Sequence, residues 1–196
     1  MKMNVRNIKS CYLFLVIAVC MMGCDKGAAE DDFGMSYIYM PQATTSGGTN
    51  NYYNIPSGDG SYTYNYKLDS EHQKLQVILG VLRSGMSGND GFSVDIKAML
   101  ESSRQRIVSG GISNGFVPEA SVFSLPDKVN VPAGKLSESF YLEINYSVLV
   151  ADENAGKKLV LEVGLENPSH YELAQSNTSA TVIVDIDAIK AKINNQ

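Results

Sequence analysis

Ser137-Glu138-Ser139-Phe140-Tyr141-Leu142-Glu143-Ile144-Asn145-Tyr146 decides the class of this chain. Phe140, Leu142 and Ile144 fall on one side of the alternation, and Tyr141, Glu143 and Asn145 on the other. Successive side chains of a strand point to opposite faces. A period of two therefore predicts a β-strand with one face on a core and the other in water.

The same rhythm extends in both directions. Lys157 to Leu165 sets Leu159, Leu161, Val163 and Leu165 on one face, which leaves Glu162, like Glu143, on a predicted solvent face. Thr178 to Ile186 sets Val182, Val184 and Ile186 opposite Thr181, Ile183 and Asp185. Upstream, Lys128 to Val131 is a strand ended by Pro132-Ala133-Gly134, and Ser121 to Leu125 is one ended by Pro126. Phe92, Val94 and Ile96 alternate with polar residues, whereas Lys74 to Arg83 is nearly continuous in apolar residues and reads as a central strand. Ser61 to Leu68 places Tyr62, Tyr64 and Tyr66 on one face, and Tyr52 to Ile55 and Met35 to Met40 are shorter strands.

Turn chemistry separates these runs. Ser57-Gly58-Asp59-Gly60 and Ser84 to Gly91 supply the glycines and aspartates that tolerate positive φ, and Thr44 to Asn51 reads as a loop. Ala98 to Val108 is the one predicted helix, a segment crossing one end of the fold. The expectation is an all-β antiparallel sandwich of about 7–9 strands over residues 35–187, with a polar tail from Ala188 to Gln196.

The first residues follow another logic. Lys2, Arg6 and Lys9 form a basic leader, an apolar run extends from Tyr12 to Met22, and Gly23-Cys24 follows. The run is roughly 11 residues, well short of the ~20 that span a bilayer as a helix. Residues 1–23 therefore read as a cleaved lipoprotein signal peptide. Gly23 is the small residue that processing needs beside the cut, whereas Cys20 follows bulky Val19. Cys24 is the predicted lipidation site, the alternative being an ordinary signal cut nearby that leaves Cys24 a free thiol; two or more acyl chains there would anchor the protein stably without a span. Asp25 to Gly34, with Glu30-Asp31-Asp32, reads as a solvated tether, so residues 24–34 form a lipidated linker.

Cleavage would leave 173 residues, with 13 Lys+Arg against 21 Asp+Glu, a net charge of −8. Such a chain repels phosphates, which argues against a nucleic-acid partner. With Cys24 as the one remaining cysteine, the exported domain must be held by its core rather than by disulfides.

Candidate chemistry is sparse. His72 and His170 lie in turn-like settings without metal-site spacing, and there is no GxSxG nucleophile elbow. Asp90, Asp95, Asp152 and Glu153 could serve a hard cation, but no DxDxDG loop supports it. The sequence assigns no catalytic residue, metal or cofactor. Its compositional oddity is tyrosine: 11 in all, seven of them between Tyr37 and Tyr66. Tyr62, Tyr64 and Tyr66 are the candidate ligand-contacting residues if that face is partly exposed, because tyrosine joins an apolar ring to a polar tip; strand packing is the competing use.

Phe123-Ser124-Leu125-Pro126-Asp127-Lys128-Val129-Asn130-Val131-Pro132-Ala133-Gly134, Ser139 to Ile144 and Gly156 to Val163 together carry a resemblance. The chain resembles a domain of unknown function found at the N-terminus of surface lipoproteins of Bacteroidetes. The resemblance covers Tyr37 to Asp185. It implies an immunoglobulin-like sandwich, a surface-export character for Asp25 and Glu30-Asp31-Asp32, and a place beside glycan-uptake machinery at the outer membrane.

Two functions follow as expectations. One is a non-enzymatic, lipid-anchored cell-surface protein that binds polysaccharide or serves outer-membrane importer proteins. The other is a structural or protein-partner module, adhesin-like, that binds no sugar.

Overall fold

The computed structural model describes residues 36–45, 51–57, 65–85 and 88–195, which fall in a compact unit running from Gly34 to Gln196. Cys24, the signal-peptide and tether assignments, Tyr62 and Tyr64 lie outside the described residues.

Among the described residues there are twelve strands, more than the 7–9 expected, the two-residue β6 and β11 having no alternating run to announce them: β1 (Tyr37–Tyr39), β2 (Tyr52–Ile55), β3 (Tyr66–Asp69), β4 (Lys74–Arg83), β5 (Phe92–Ala98), β6 (Gly115–Phe116), β7 (Phe123–Ser124), β8 (Lys128–Val131), β9 (Ser137–Asn145), β10 (Lys158–Glu166), β11 (Glu172–Leu173) and β12 (Ser179–Asp185). Four α-helices accompany them among the described residues: α1 (Gln42–Thr45), α2 (Leu100–Ser109), α3 (Tyr146–Val150) and α4 (Ile186–Ile193). The strands make two six-stranded sheets. The first has the order β11-β1-β4-β9-β7, with β3 also on β4; the second has the order β2-β12-β10-β5-β8, with β6 also on β10.

The longest pairing joins β4 to β9 in antiparallel register from Lys74↔Asn145 to Leu82↔Ser137. That register points Leu75, Val77, Leu79 and Val81 inward beside Phe140, Leu142 and Ile144, all buried. They meet Val94, Leu159, Leu161, Val163, Val182 and Val184 of the second sheet in one hydrophobic cluster. Each such side chain contributes about 1.5–3 kcal/mol when buried.

The structure departs from expectation elsewhere too. The sheets are not wholly antiparallel: β1–β11, β10–β6 and β12–β2 run parallel. Each parallel pair joins segments far apart in sequence, as parallel strands must be. The predicted single helix is one of four among the described residues; it spans Leu100–Ser109, and the predicted strand over Ser121–Leu125 becomes a 3₁₀ turn, Ala120–Val122, followed by two-residue β7. The predicted loop from Thr44 loses its first two residues, Thr44 and Thr45, to α1. The predicted polar tail is instead α4, capped by Asp185, which accepts from the Ala188 amide, and it buries Ile186 and Ile189 completely.

The last departure is β10. Its interior from Leu159 to Leu165 is buried on both faces, because α2 lies over the outer one. The entry to α2 is tied to β10 through Met99 N–H donating to Glu162 O (2.8 Å) and Glu162 N–H donating to Ser103 Oγ (2.7 Å). Gly164 permits this approach: a Cβ there would lie 2.6 Å from Met99 Sδ. Among the described residues no helix is long and apolar enough to cross a membrane.

Candidate functional site

The outward face of the first sheet follows from register. Gln76 stands opposite Lys67 on one side and Glu143 on the other, and Glu143 stands opposite Ser124. Lys67, Gln76, Glu143 and Ser124 therefore form one row across β3, β4, β9 and β7. Directly opposed side chains are about 4.5–5.5 Å apart at Cβ, close enough to bond.

Three donors converge on Glu143. Lys74 Nζ donates to Oε2 at 2.5 Å, Gln76 Nε2 to Oε1 at 3.2 Å and Ser124 Oγ to Oε2 at 3.2 Å. The Lys74 hydrogen bond is the main cause that holds the Glu143 carboxyl below the usual carboxylate range, against a smaller upward push from burial. Glu143 is thus an ionised acceptor at neutral pH.

Tyr141 lies beside this row, opposite Ile78. Its hydroxyl accepts from Lys67 Nζ at 2.9 Å, and the same ammonium stands 5.1 Å from the ring centroid. Ser124, Leu125, Pro126, Phe140, Tyr141 and Glu143 line a shallow depression of about 380 Å³. That falls within the range of small-molecule sites, about 300–1,000 Å³. The arrangement offers an aromatic surface, apolar walls at Leu125 and Pro126, and donors and an acceptor fixed by one another.

The predicted tyrosine face does not hold at Tyr66. Tyr66 is 1% exposed and part of the core, with its hydroxyl pKa pushed up by burial. Alternation identifies which residues share a face but not which face turns inward; here Lys67 is the outward residue. Tyr141 and Glu143 were legible as a solvent face, yet nothing local marked them as meeting Lys67, Gln76 and Ser124.

Glu162 corrects another expectation. It is 3% exposed rather than solvated, and it accepts from Ser102, from Arg106 Nε at 3.2 Å and from Ser179 Oγ at 2.7 Å. Glu162 is buried under α2, with Arg106 partly exposed at its edge. Both histidines are exposed; His72 meets Asp69 and His170 meets Asp90. Asp95 is paired with Lys128 and Asp152 with Lys190. Among the described residues, no three His, Cys, Asp or Glu side chains converge as a metal site would require.

No family model matches the chain, and no curated protein matches it. Solved structures do. A proposed carbohydrate-binding protein from Bacteroides ovatus superposes with a TM-score of 0.51 at 13% identity, covering 76% of this chain and 36% of its own. A B. ovatus protein of unknown function superposes with a TM-score of 0.50 at 11% identity, covering 78% of this chain and 52% of its own. The chain shares their two-sheet β fold and spans 36–52% of their length.

Proposed function

We propose that this chain is a non-enzymatic glycan-binding component of a cell-surface polysaccharide-uptake system, an immunoglobulin-like domain anchored to the outer membrane through lipidated Cys24. The carrying observation is the row Lys67-Gln76-Glu143-Ser124 beside the ring of Tyr141. A sugar presents an apolar ring face edged by hydroxyls that both donate and accept. Tyr141 with Ile78 meets the first, and ionised Glu143 with Gln76 and Lys74 meets the second.

The fold shared with a B. ovatus protein proposed to bind carbohydrate supports this reading, as does the surface-lipoprotein resemblance. Held ionised by three donors, Glu143 is suited to accept hydrogen bonds from sugar hydroxyls.

The test is a polysaccharide array followed by affinity electrophoresis, with the full chain in mild detergent. Retardation by at least one neutral polysaccharide is expected; a folded sample that binds none overturns the glycan reading. Recovery of a specific outer-membrane protein without any glycan binding favours the protein-partner role instead. Labelled fatty acid should enter the wild-type chain and not Cys24→Ala.

A further inference from the structure

The second sheet carries a depression of its own at the start of β10, with a volume of about 510 Å³, lined by Asn114, Gly115, Phe116, Ala155, Gly156 and Lys157. The parallel pairing of β6 with β10 builds it, setting Gly115 opposite Lys158 and Phe116 opposite Leu159. Asn114 (φ 57°) and Gly156 (φ 72°), both in the left-handed region, turn the chain on either side. Asn114 Nδ2 donates across to Gly156 O at 3.2 Å, and the Gly156 amide donates to Asp187 Oδ1 at 3.0 Å. The walls are thus fixed by hydrogen bonds between loops distant in sequence.

Phe116 packs partly against the core, so its ring is held in place. Space remains on the opposite side, where a Cβ at Gly156 would meet nothing within 4 Å. Lys157 Nζ stands 5.7 Å from the Phe116 ring centroid. Lys74, Lys128 and Lys190 each face a carboxylate. Lys157, among the described residues, has the neutral Asn154 Oδ1 as its side-chain acceptor, at 3.4 Å. A cation beside an aromatic ring, with its charge unmatched by an ion pair, can receive an anion.

We propose that this depression is a second sugar site, selective for an acidic residue. The apolar face of a uronate ring lies on Phe116, its carboxylate meets Lys157 Nζ, and its hydroxyls reach the Asn114 side chain. At the Tyr141 face Lys74 is paired with Glu143 at 2.5 Å, whereas here the nearby Asp187 carboxylate is engaged by the Gly156 amide and Lys157 makes no ion pair among the described residues. The two sites would therefore read different units of a glycan. The proposal rests on the glycan reading for its ligand class alone, since it shares no residue with the Tyr141 face.

The test is calorimetric titration of the full chain, in mild detergent, with an oligogalacturonate and with a neutral oligogalactan of equal length. Oligogalacturonate is expected to bind with a salt-sensitive affinity. Lys157→Met and Phe116→Leu should each weaken it about tenfold or more, while Lys157→Arg retains it. Circular dichroism of each variant guards against unfolding. No binding of oligogalacturonate by the wild type overturns the proposal. So does binding that Lys157→Met leaves unchanged, or equal competition by acetate at the same carboxylate concentration, which would mark a simple anion contact. A wild-type chain that binds oligogalacturonate but no neutral polysaccharide of the array would sink the Tyr141 reading and leave this one standing.

Discussion

Arg106 and Glu162 are joined beneath α2: Arg106 Nε lies 3.2 Å from Glu162 Oε2, and Nη2 lies 3.3 Å from Oε1. Glu162 is 3% exposed at its side chain and Arg106 is 35% exposed, so the carboxylate bears most of the desolvation. Removing one partner of a buried pair strands the other, at a cost that reaches 3–5 kcal/mol when both are fully buried. Ser102 and Ser179 still donate to Glu162 when Arg106 is lost. Arg106→Met should therefore destabilise the domain by about 2–3 kcal/mol, and Glu162→Gln by about 1–2 kcal/mol. Urea denaturation measures both; losses below about 0.5 kcal/mol for each would show that the pair does not fasten the helix.

The same carboxylate predicts a pH dependence. Burial pushes the Glu162 carboxyl up, but hydrogen bonds from Arg106, Ser102 and Ser179, together with the guanidinium charge, outweigh it and hold the group below its usual range. A carboxyl depressed in the folded state contributes stability that is present above its unfolded pKa of about 4.3 and is lost as pH falls through the folded value. Stability should be flat in this respect above about pH 5 and should fall on acidification, more shallowly in Glu162→Gln. Some acid sensitivity persists in that variant, because Glu143, Asp69 and Asp95 are also held down, chiefly by Lys74, the His72 amide and Asn167 respectively. Urea midpoints from pH 7 to pH 3 supply the comparison, and identical slopes for the two proteins would contradict the assignment.

What was legible in the sequence was whatever depends on a period of two. β4 and β9 were readable because one face of each meets the core and the other water, and β9 alternates in burial from Phe140 to Asn145 as its letters do. β10 was misread because the cover on its outer face comes from α2, 56 residues away at Arg106; no local pattern reports a lid. Val160 and Gly164, flanking Glu162 on that face, were the available hint. The site was half legible. Tyr141 and Glu143 show as outward, but their meeting with Lys67, Gln76 and Ser124 is a matter of register, which alternation does not fix.

Tyr66 gives a control for the tyrosine-face idea. Its ring is core and its hydroxyl is buried without a hydrogen-bond partner among the described residues. Tyr66→Phe removes an unsatisfied polar atom and should raise stability by about 1 kcal/mol. Glycan affinity should not change. A loss of affinity with intact stability would return Tyr66 to the binding surface.

The C-terminal helix is part of the core, with Ile186 and Ile189 fully buried. Ile189→Ala should cost about 2–5 kcal/mol, the range for deleting a buried aliphatic side chain. Thermal denaturation is the measurement; a melting temperature equal to wild type would mean the helix is a dispensable tail.

Tyr141 is where the functional account is most exposed to refutation. Calorimetry with the polysaccharide retained in the array, comparing the full-length wild type with Tyr141→Ala, decides it. The expected result is a dissociation constant raised at least about tenfold, a loss of about 1.4 kcal/mol or more, in a variant that stays folded. A Tyr141→Ala protein that binds within about twofold of wild type would contradict the assignment of the outward face of β4 and β9 as the glycan site.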